Sequence, residues 1–208
     1  EMQRSLVGSE MCIRDSKKVK CLRQPRTIID TFTVAEMKRM VQFYDGKDFL
    51  EVRNKTIIML LFDTGMRYNE MILMEPEDIK QDYILVKHGK GSKERMVYFD
   101  ARTKIHLQNY LEEREDGNHA LFVSLKAPYE RLKIGGVESR LRELGRRLEL
   151  PRVHPHKFRR TLATVAIDKG MPVEQLQRLL GHQRIDTTLQ YAMVKQSNVK
   201  LAHRKFLG

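Results

Sequence analysis

The sequence predicts an α+β fold, mainly α-helical with a small antiparallel sheet. Three observations predict it: apolar residues recur at helical spacing along most of the chain, Gly and Pro punctuate those stretches, and residues 83–99 read as strand, Gly-rich turn and strand. At 208 residues the chain fits one domain with a tail.

Residues 5–16, SLVGSEMCIRDS, follow neither period and precede the basic run Lys17-Lys18-Val19-Lys20. The stretch resembles translated sequencing-adaptor sequence, so residues 1–16 are set aside as non-native, residues 1–26 are read as tail and linker, and 27–208 as the domain. Thr33 is placed as an N-cap before Val34, Met37, Met40 and Val41, which share one helical face. A second helix is expected over 52–62, broken by Thr64-Gly65, and a third over 66–74, stopped by Pro76. Tyr83 to Lys87 and Arg95 to Phe99 form the hairpin arms, with Lys90 between two glycines in the turn. Helices follow at 101–114 and 137–149, the latter with Val137, Leu141, Leu144 and Leu148 on one stripe. A helix over 156–169 starts behind Pro155 and ends at Gly170. A short one follows Pro172 and stops at Gly181, and Asp186 is read as the cap of a last helix carrying Tyr191.

Lys and Arg number 39 against 27 Asp and Glu, a formal charge of +12 with pI near 9.8, which favours a polyanion and above all nucleic acid. Two cysteines, Cys12 and Cys21, are too few to staple the fold or complete a metal site, and the chain reads as a cytoplasmic protein. The longest apolar run, residues 57–62, is far short of the roughly 18 residues of a membrane span, so no membrane partner is expected.

The informative motifs stand in order: Thr64-Gly65-Met66-Arg67-Tyr68-Asn69-Glu70, Gly89-Lys90-Gly91-Ser92-Lys93-Glu94-Arg95, His156-Lys157-Phe158-Arg159, Leu179-Leu180-Gly181-His182, and Tyr191. Taken singly each has a plainer reading. Tyr191 alone is a half-buried helical tyrosine, the two histidines are caps or core residues, Lys90 is a hairpin-tip charge, and Arg67 is an ion-pair partner of Glu70. Taken together, with three residues from His156 to Arg159, 23 from Arg159 to His182 and nine from His182 to Tyr191, they resemble the tyrosine recombinase or phage integrase family from about Thr33 onward.

The resemblance implies that Arg67 and Arg159 hold a scissile phosphate, that Lys90 acts from the hairpin tip, that His156 and His182 assist, and that Tyr191 is the nucleophile. Lys93, Arg95 and Arg160 are taken as further DNA contacts. It also implies double-stranded DNA as substrate, a homotetramer on paired DNA sites, an accessory directionality factor as an optional partner, and no cofactor. Arg160 departs from the family, standing where a histidine often follows the arginine of the third motif, and the family's N-terminal DNA-clamping domain is not found in the sequence.

The chemistry agrees. Attack on a phosphodiester builds negative charge on the non-bridging oxygens, and guanidinium forks answer it with fixed, permanently charged donors. A tyrosine hydroxyl, with a free pKa of about 10, needs surrounding cations and a base such as His156. The leaving deoxyribose oxygen needs a proton, which a lysine of free pKa about 10.4 carries. Lys90, flanked by glycines that let the tip approach DNA, suits this better than Lys93 beside Glu94. Exchange of one phosphoester for another conserves bond energy, so neither ATP nor a metal is needed.

Three rivals remain on sequence alone. A helix-turn-helix regulator fits residues 161–181 but leaves Arg67, Lys90 and Tyr191 unexplained. A metal-dependent nuclease could use Asp63, Glu70 and Asp186 if they converged. A type IB topoisomerase shares the tyrosine chemistry.

Overall fold

The structure is a computed structural model that describes residues 30–87 and 94–192. Helix α1, Val34–Phe43, opens on a reciprocal capping box in which Thr33 Oγ1 accepts from the Glu36 N–H at 3.2 Å and the Glu36 carboxylate accepts from the Thr33 N–H at 2.7 Å. Met40 is fully buried with Met37 and Val41 packed beside it, whereas Val34, expected on that face, is 61% exposed. It lies in the first turn, beyond the edge of the surface that α1 covers.

Helix α2, Phe49–Thr64, is longer than the expected 52–62 because Asp48 caps it, accepting from the Glu51 N–H at 2.8 Å. It is the spine of the molecule. Val52, Ile57, Ile58, Leu60 and Leu61 are buried, and α2 packs against α1, strand β2 (Arg95–Tyr98) and two later helices, α4 (Ala101–Glu112) and α6 (Pro155–Asp168). Gly65 stops it in the left-handed conformation at φ 57°, its N–H donating to Leu61 O. A side chain at Gly65 would run into Leu162 of α6, so glycine here permits both the turn and the close approach of the helix. Helix α3, Tyr68–Leu73, is shorter than expected, since Arg67 is its N-cap residue.

Strands β1, Tyr83–Val86, and β2, Arg95–Tyr98, pair antiparallel with Ile84 opposite Val97 and Val86 opposite Arg95. The hairpin read from the sequence is therefore present, and its turn, with Lys90 and Lys93, lies outside the described residues. Helix α4, Ala101–Glu112, is capped by Asp100. Helix α5, Ile134–Arg147, sits about a turn N-terminal to the expected 137–149. Its end is set by Glu149 at φ 54°, with Leu150 N–H returning to Gly145 O and Glu149 N–H to Arg146 O, a Schellman closure made without glycine.

Helix α6, Pro155–Asp168, joins two cores. Phe158 packs against Phe62 and Phe32 at 4.5 and 5.1 Å in the large core, while Ala163 and Ala166 belong to a small second cluster with Leu176 and Leu180. Helix α7, Val173–Leu180, ends at Gly181 with φ 65°. Helix α8, Ile185–Ala192, carries Tyr191 against the second cluster. Asp186 does not cap α8 as expected. It lies in the first turn, paired with Arg184 at 2.9 Å, and its negative charge favours the helix N-terminus from within. Among the described residues no helix is long and apolar enough to cross a membrane.

Gly65 and Gly117 offer a matched test of this packing. Gly65→Ala is expected to destabilise the protein by about 1–3 kcal/mol, through strain at positive φ and the collision with Leu162. Gly117→Ala, which meets nothing within 4 Å, should stay within about 0.5 kcal/mol of the parent. Urea midpoints measure both, and equal midpoints would show that α6 does not need its close seat on α2.

Candidate active site

Three arginines from separate segments converge on the C-terminus of α7. A helix leaves its last carbonyls without intrahelical partners. Here three consecutive ones are taken by guanidinium groups: Leu179 O by Arg95 Nε at 3.2 Å, Leu180 O by Arg159 Nη2 at 2.6 Å, and Gly181 O by Arg67 Nη2 at 3.2 Å. Arg159 also donates to Gly65 O at 2.8 Å, so it bridges the ends of α2 and α7. Each of Arg67 and Arg159 thus spends part of a five-donor fork on the protein and keeps donors for an incoming anion.

One carboxylate stands among them. Glu70, 4% exposed, accepts from Arg67 Nη1 at 2.9 Å and from the Arg67 backbone N–H at 2.8 Å, and from Arg95 Nη1 and Nη2 at 3.0 and 2.6 Å. Burial alone raises its pKa, but the bonds and charges of Arg95 and Arg67 outweigh this and hold it below the ordinary value. The cluster therefore holds three guanidinium charges against one carboxylate.

The neighbouring groups record that excess. Arg159, 5% exposed, is pushed down to about 10 by burial first and then by Arg67 and Arg95. His182 falls to about 4, through burial and then the three arginines, so it is neutral at pH 7. Its Nδ1 is 2.8 Å from Oγ1 of the fully buried Thr188, and its ring stacks at 6.2 Å and 20° on Tyr191. His156, at the exposed start of α6, is also lowered, by partial loss of water and then by Arg159, Arg160 and Arg67.

The structure thus brings Arg67, Arg159, His182 and Tyr191 together and places His156 in the same field. Arg160 is exposed beside it, free of the buried cluster. Lys90 and Lys93 lie outside the described residues. Arg95, expected to contact DNA, is turned inward with its side chain 10% exposed and both ends of its fork on Glu70. Its place on β2 opposite Val86 directs it toward α3 and α7. Thr188 was missed, since a threonine in an amphipathic helix gives no signal. Glu70 was seen only as the partner of Arg67. Lys157, between the two motif residues His156 and Arg159, is 2% exposed over the Phe32 ring and paired with Asp30 at 2.9 Å, which anchors the start of the domain to α6.

The rival acidic triad does not assemble. Glu70 is held by two arginines, Asp63 accepts from the Asp100 N–H, and Asp186 pairs with Arg184. Among the described residues no group of three His, Cys, Asp or Glu could hold a metal. Nor is the 161–181 pair a separate recognition module, since α6 is built into both cores.

Comparison with known proteins agrees with this arrangement. The sequence profile of the phage integrase family matches residues 30–198. Tyrosine recombinase XerA of Pyrococcus furiosus is 30% identical over 191 residues, covering 90% of this chain and 65% of that protein. Tyrosine recombinase XerC of Leptospira interrogans is 31% identical over 179 residues, 84% of this chain and 58% of the relative. The chain therefore spans less than two thirds of these relatives. In fold it matches a crystal structure of XerA recombinase with TM-score 0.74 and 24% identity, covering 91% of this chain and 67% of that one. It matches the Tn1549 transposon integrase in complex with circular intermediate DNA with TM-score 0.74 and 19% identity, covering 95% and 75%.

The low pKa of His182 makes stability depend on pH. The unfolded chain protonates this imidazole near 6.5 and the folded one only near 4, so within that window the unfolded state holds more protons. Stability from this residue is fully present above about 6.5 and is lost as pH falls toward 4. His182→Gln should therefore lose less thermal midpoint than the parent between pH 7 and pH 4.5. Parallel curves for the two proteins would place the shift elsewhere, in His154 or His156, which are lowered in the same direction.

Proposed function

The chain belongs to the phage integrase family, and we propose that it is the catalytic domain of a site-specific recombinase that breaks and rejoins duplex DNA through a 3′-phosphotyrosine at Tyr191. The observation that carries this reading is the excess of buried guanidinium charge beside a neutral histidine stacked on a tyrosine.

In this mechanism Arg67 and Arg159 hold the non-bridging oxygens of the scissile phosphate, where charge grows as a fifth oxygen approaches. Tyr191 lies close enough to Arg159 to interact with its guanidinium charge, which puts the nucleophile beside the phosphate-holding pair. His156, lowered below 6.5, presents a free lone pair at neutral pH and takes the Tyr191 proton. The Tyr191 oxygen bonds to phosphorus as the bond to the 5′ oxygen breaks, and Lys90 gives that oxygen its proton. Neutral His182, fixed by Thr188, donates or accepts a hydrogen bond without adding charge to an already cationic site. Attack by the 5′ hydroxyl of a partner strand reverses the sequence, with no nucleotide or metal consumed.

Around this core the reading extends to integration or excision of a mobile element in the cytoplasm, by four copies on two DNA sites, with an accessory factor setting direction. The exposed Arg160 and the turn residue Lys93 serve as phosphate contacts.

Tyr191→Phe tests the nucleophile. It should abolish the SDS-stable protein–DNA adduct on a nicked target duplex while leaving non-covalent affinity within about twofold, since one buried-edge oxygen is lost. An adduct formed by the Phe variant moves the nucleophile to another residue.

Lys90 and Lys93 are separated by leaving-group chemistry. Lys90→Ala should cleave a normal target at least about a hundredfold more slowly, the usual scale of general acid catalysis, yet recover on a duplex whose bridging 5′ oxygen is sulfur, because a thiolate leaves unprotonated. Lys93→Ala should show no selective recovery. Recovery of Lys93→Ala alone reverses the assignment.

A further inference from the structure

Arg95 is not a side chain that the nucleophile or the phosphate-holding pair accounts for, yet it is bonded to the machinery more extensively than any surface contact needs. Its three nitrogens meet Glu70 Oε1 at 3.0 Å, Glu70 Oε2 at 2.6 Å and Leu179 O at 3.2 Å. Gly181 faces the arginine closely enough that a Cβ there would fall 2.9 Å from Arg95 Cδ, so the path of this side chain is walled in. With its side chain 10% exposed it is poorly placed to meet DNA.

The charge balance explains such a residue. Glu70 carries one negative charge and is buried against Arg67. Without Arg95 the carboxylate and Arg67 would form a closed neutral pair, leaving Arg159 alone to face an anion. With Arg95 holding the carboxylate by both oxygens, Glu70 is satisfied by a residue that does not reach the surface, and Arg67, 26% exposed, keeps its charge for a ligand. A phosphodiester carries one charge at rest and approaches two in a five-coordinate state, which matches the net two positive charges that the four side chains then present.

We propose that Arg95 is a positioning residue whose role is to compensate the Glu70 charge, so that Arg67, though still bonded to Glu70, meets a phosphate with its positive charge unneutralised. The idea rests on the reading of Arg67 and Arg159 as a phosphate site.

The test uses the whole chain with inorganic phosphate as probe, and chloride at matched ionic strength as control. Phosphate affinity comes from the saturable rise in thermal midpoint, and adduct yield on the nicked duplex is measured in parallel. The parent should show phosphate-specific stabilisation. Arg95→Gln should weaken phosphate binding by roughly tenfold, the scale of one charge-assisted hydrogen bond, and Arg95→Lys should retain most of the affinity. The deciding variant is Arg95→Gln with Glu70→Gln, which removes both charges and should restore phosphate binding by releasing Arg67. A purely structural arginine predicts no such recovery, because the double variant loses still more bonds. Failure of Glu70→Gln to restore affinity, or unchanged affinity in Arg95→Gln, overturns the compensation role while the phosphate site stands. Absence of any phosphate-specific effect in the parent overturns the phosphate site itself, and this inference with it.

Discussion

The structure depends on the capping of one helix end by three arginines. The carbonyls of Leu179, Leu180 and Gly181 close α7, and each is bonded to a guanidinium from a different part of the chain: β2, α6 and the start of α3. The partial negative charge at a helix C-terminus favours cations there, so the contact is electrostatic as well as directional. It is also the seam between two cores. The α7–α8 unit packs on α6 through a small apolar cluster, with Leu176 and Leu180 against Ala163 and Ala166, and the arginine bonds add polar ties to that modest apolar contact. The three arginines thus help to hold the tyrosine-bearing unit in place.

Gathering cations at a buried seam has a cost that shows in the titration of Arg159 and His182. Arg159 is pushed down to about 10 and His182 to about 4, both by burial first and then by the surrounding arginines. One carboxylate relieves only part of the repulsion. A site in this condition is complementary to an anion before any anion arrives, and pre-set charge of this kind needs no reorganisation when negative charge develops during reaction. Burial first, and then the same field, keep His182 neutral, so the ring stacked on Tyr191 adds no further cation to the cluster.

Much of this was legible in the sequence, for reasons that are local. Thr33, Gly65 and Gly181 announced helix ends because caps and left-handed turns have strong residue preferences, and the alternation around residues 83–99 announced the hairpin. The motif spacing identified the residues that now meet at the α7 terminus. What the sequence concealed is tertiary. Val34 fits the apolar stripe of α1 but is exposed, and Asp186 looks like a cap although it lies inside the first turn, paired with Arg184. Arg95, taken with the family motif as a DNA contact, turns inward onto a buried carboxylate 25 residues earlier. Charge counts along a chain show neither which way a strand residue faces nor which acid it will meet.

Double use of the arginines changes how their substitution must be understood. A lysine in place of Arg159 offers a single ammonium, which has no planar fork to span Gly65 O and Leu180 O while still presenting a donor outward. Loss of the guanidinium at either Arg67 or Arg159 therefore unties one carbonyl of the α7 terminus, which shifts His182 and Tyr191, two and eleven residues beyond Leu180. The charge of the cluster and the position of Tyr191 are not independent quantities in this architecture, because the same guanidinium groups supply the one and, through the α7 terminus, fix the other.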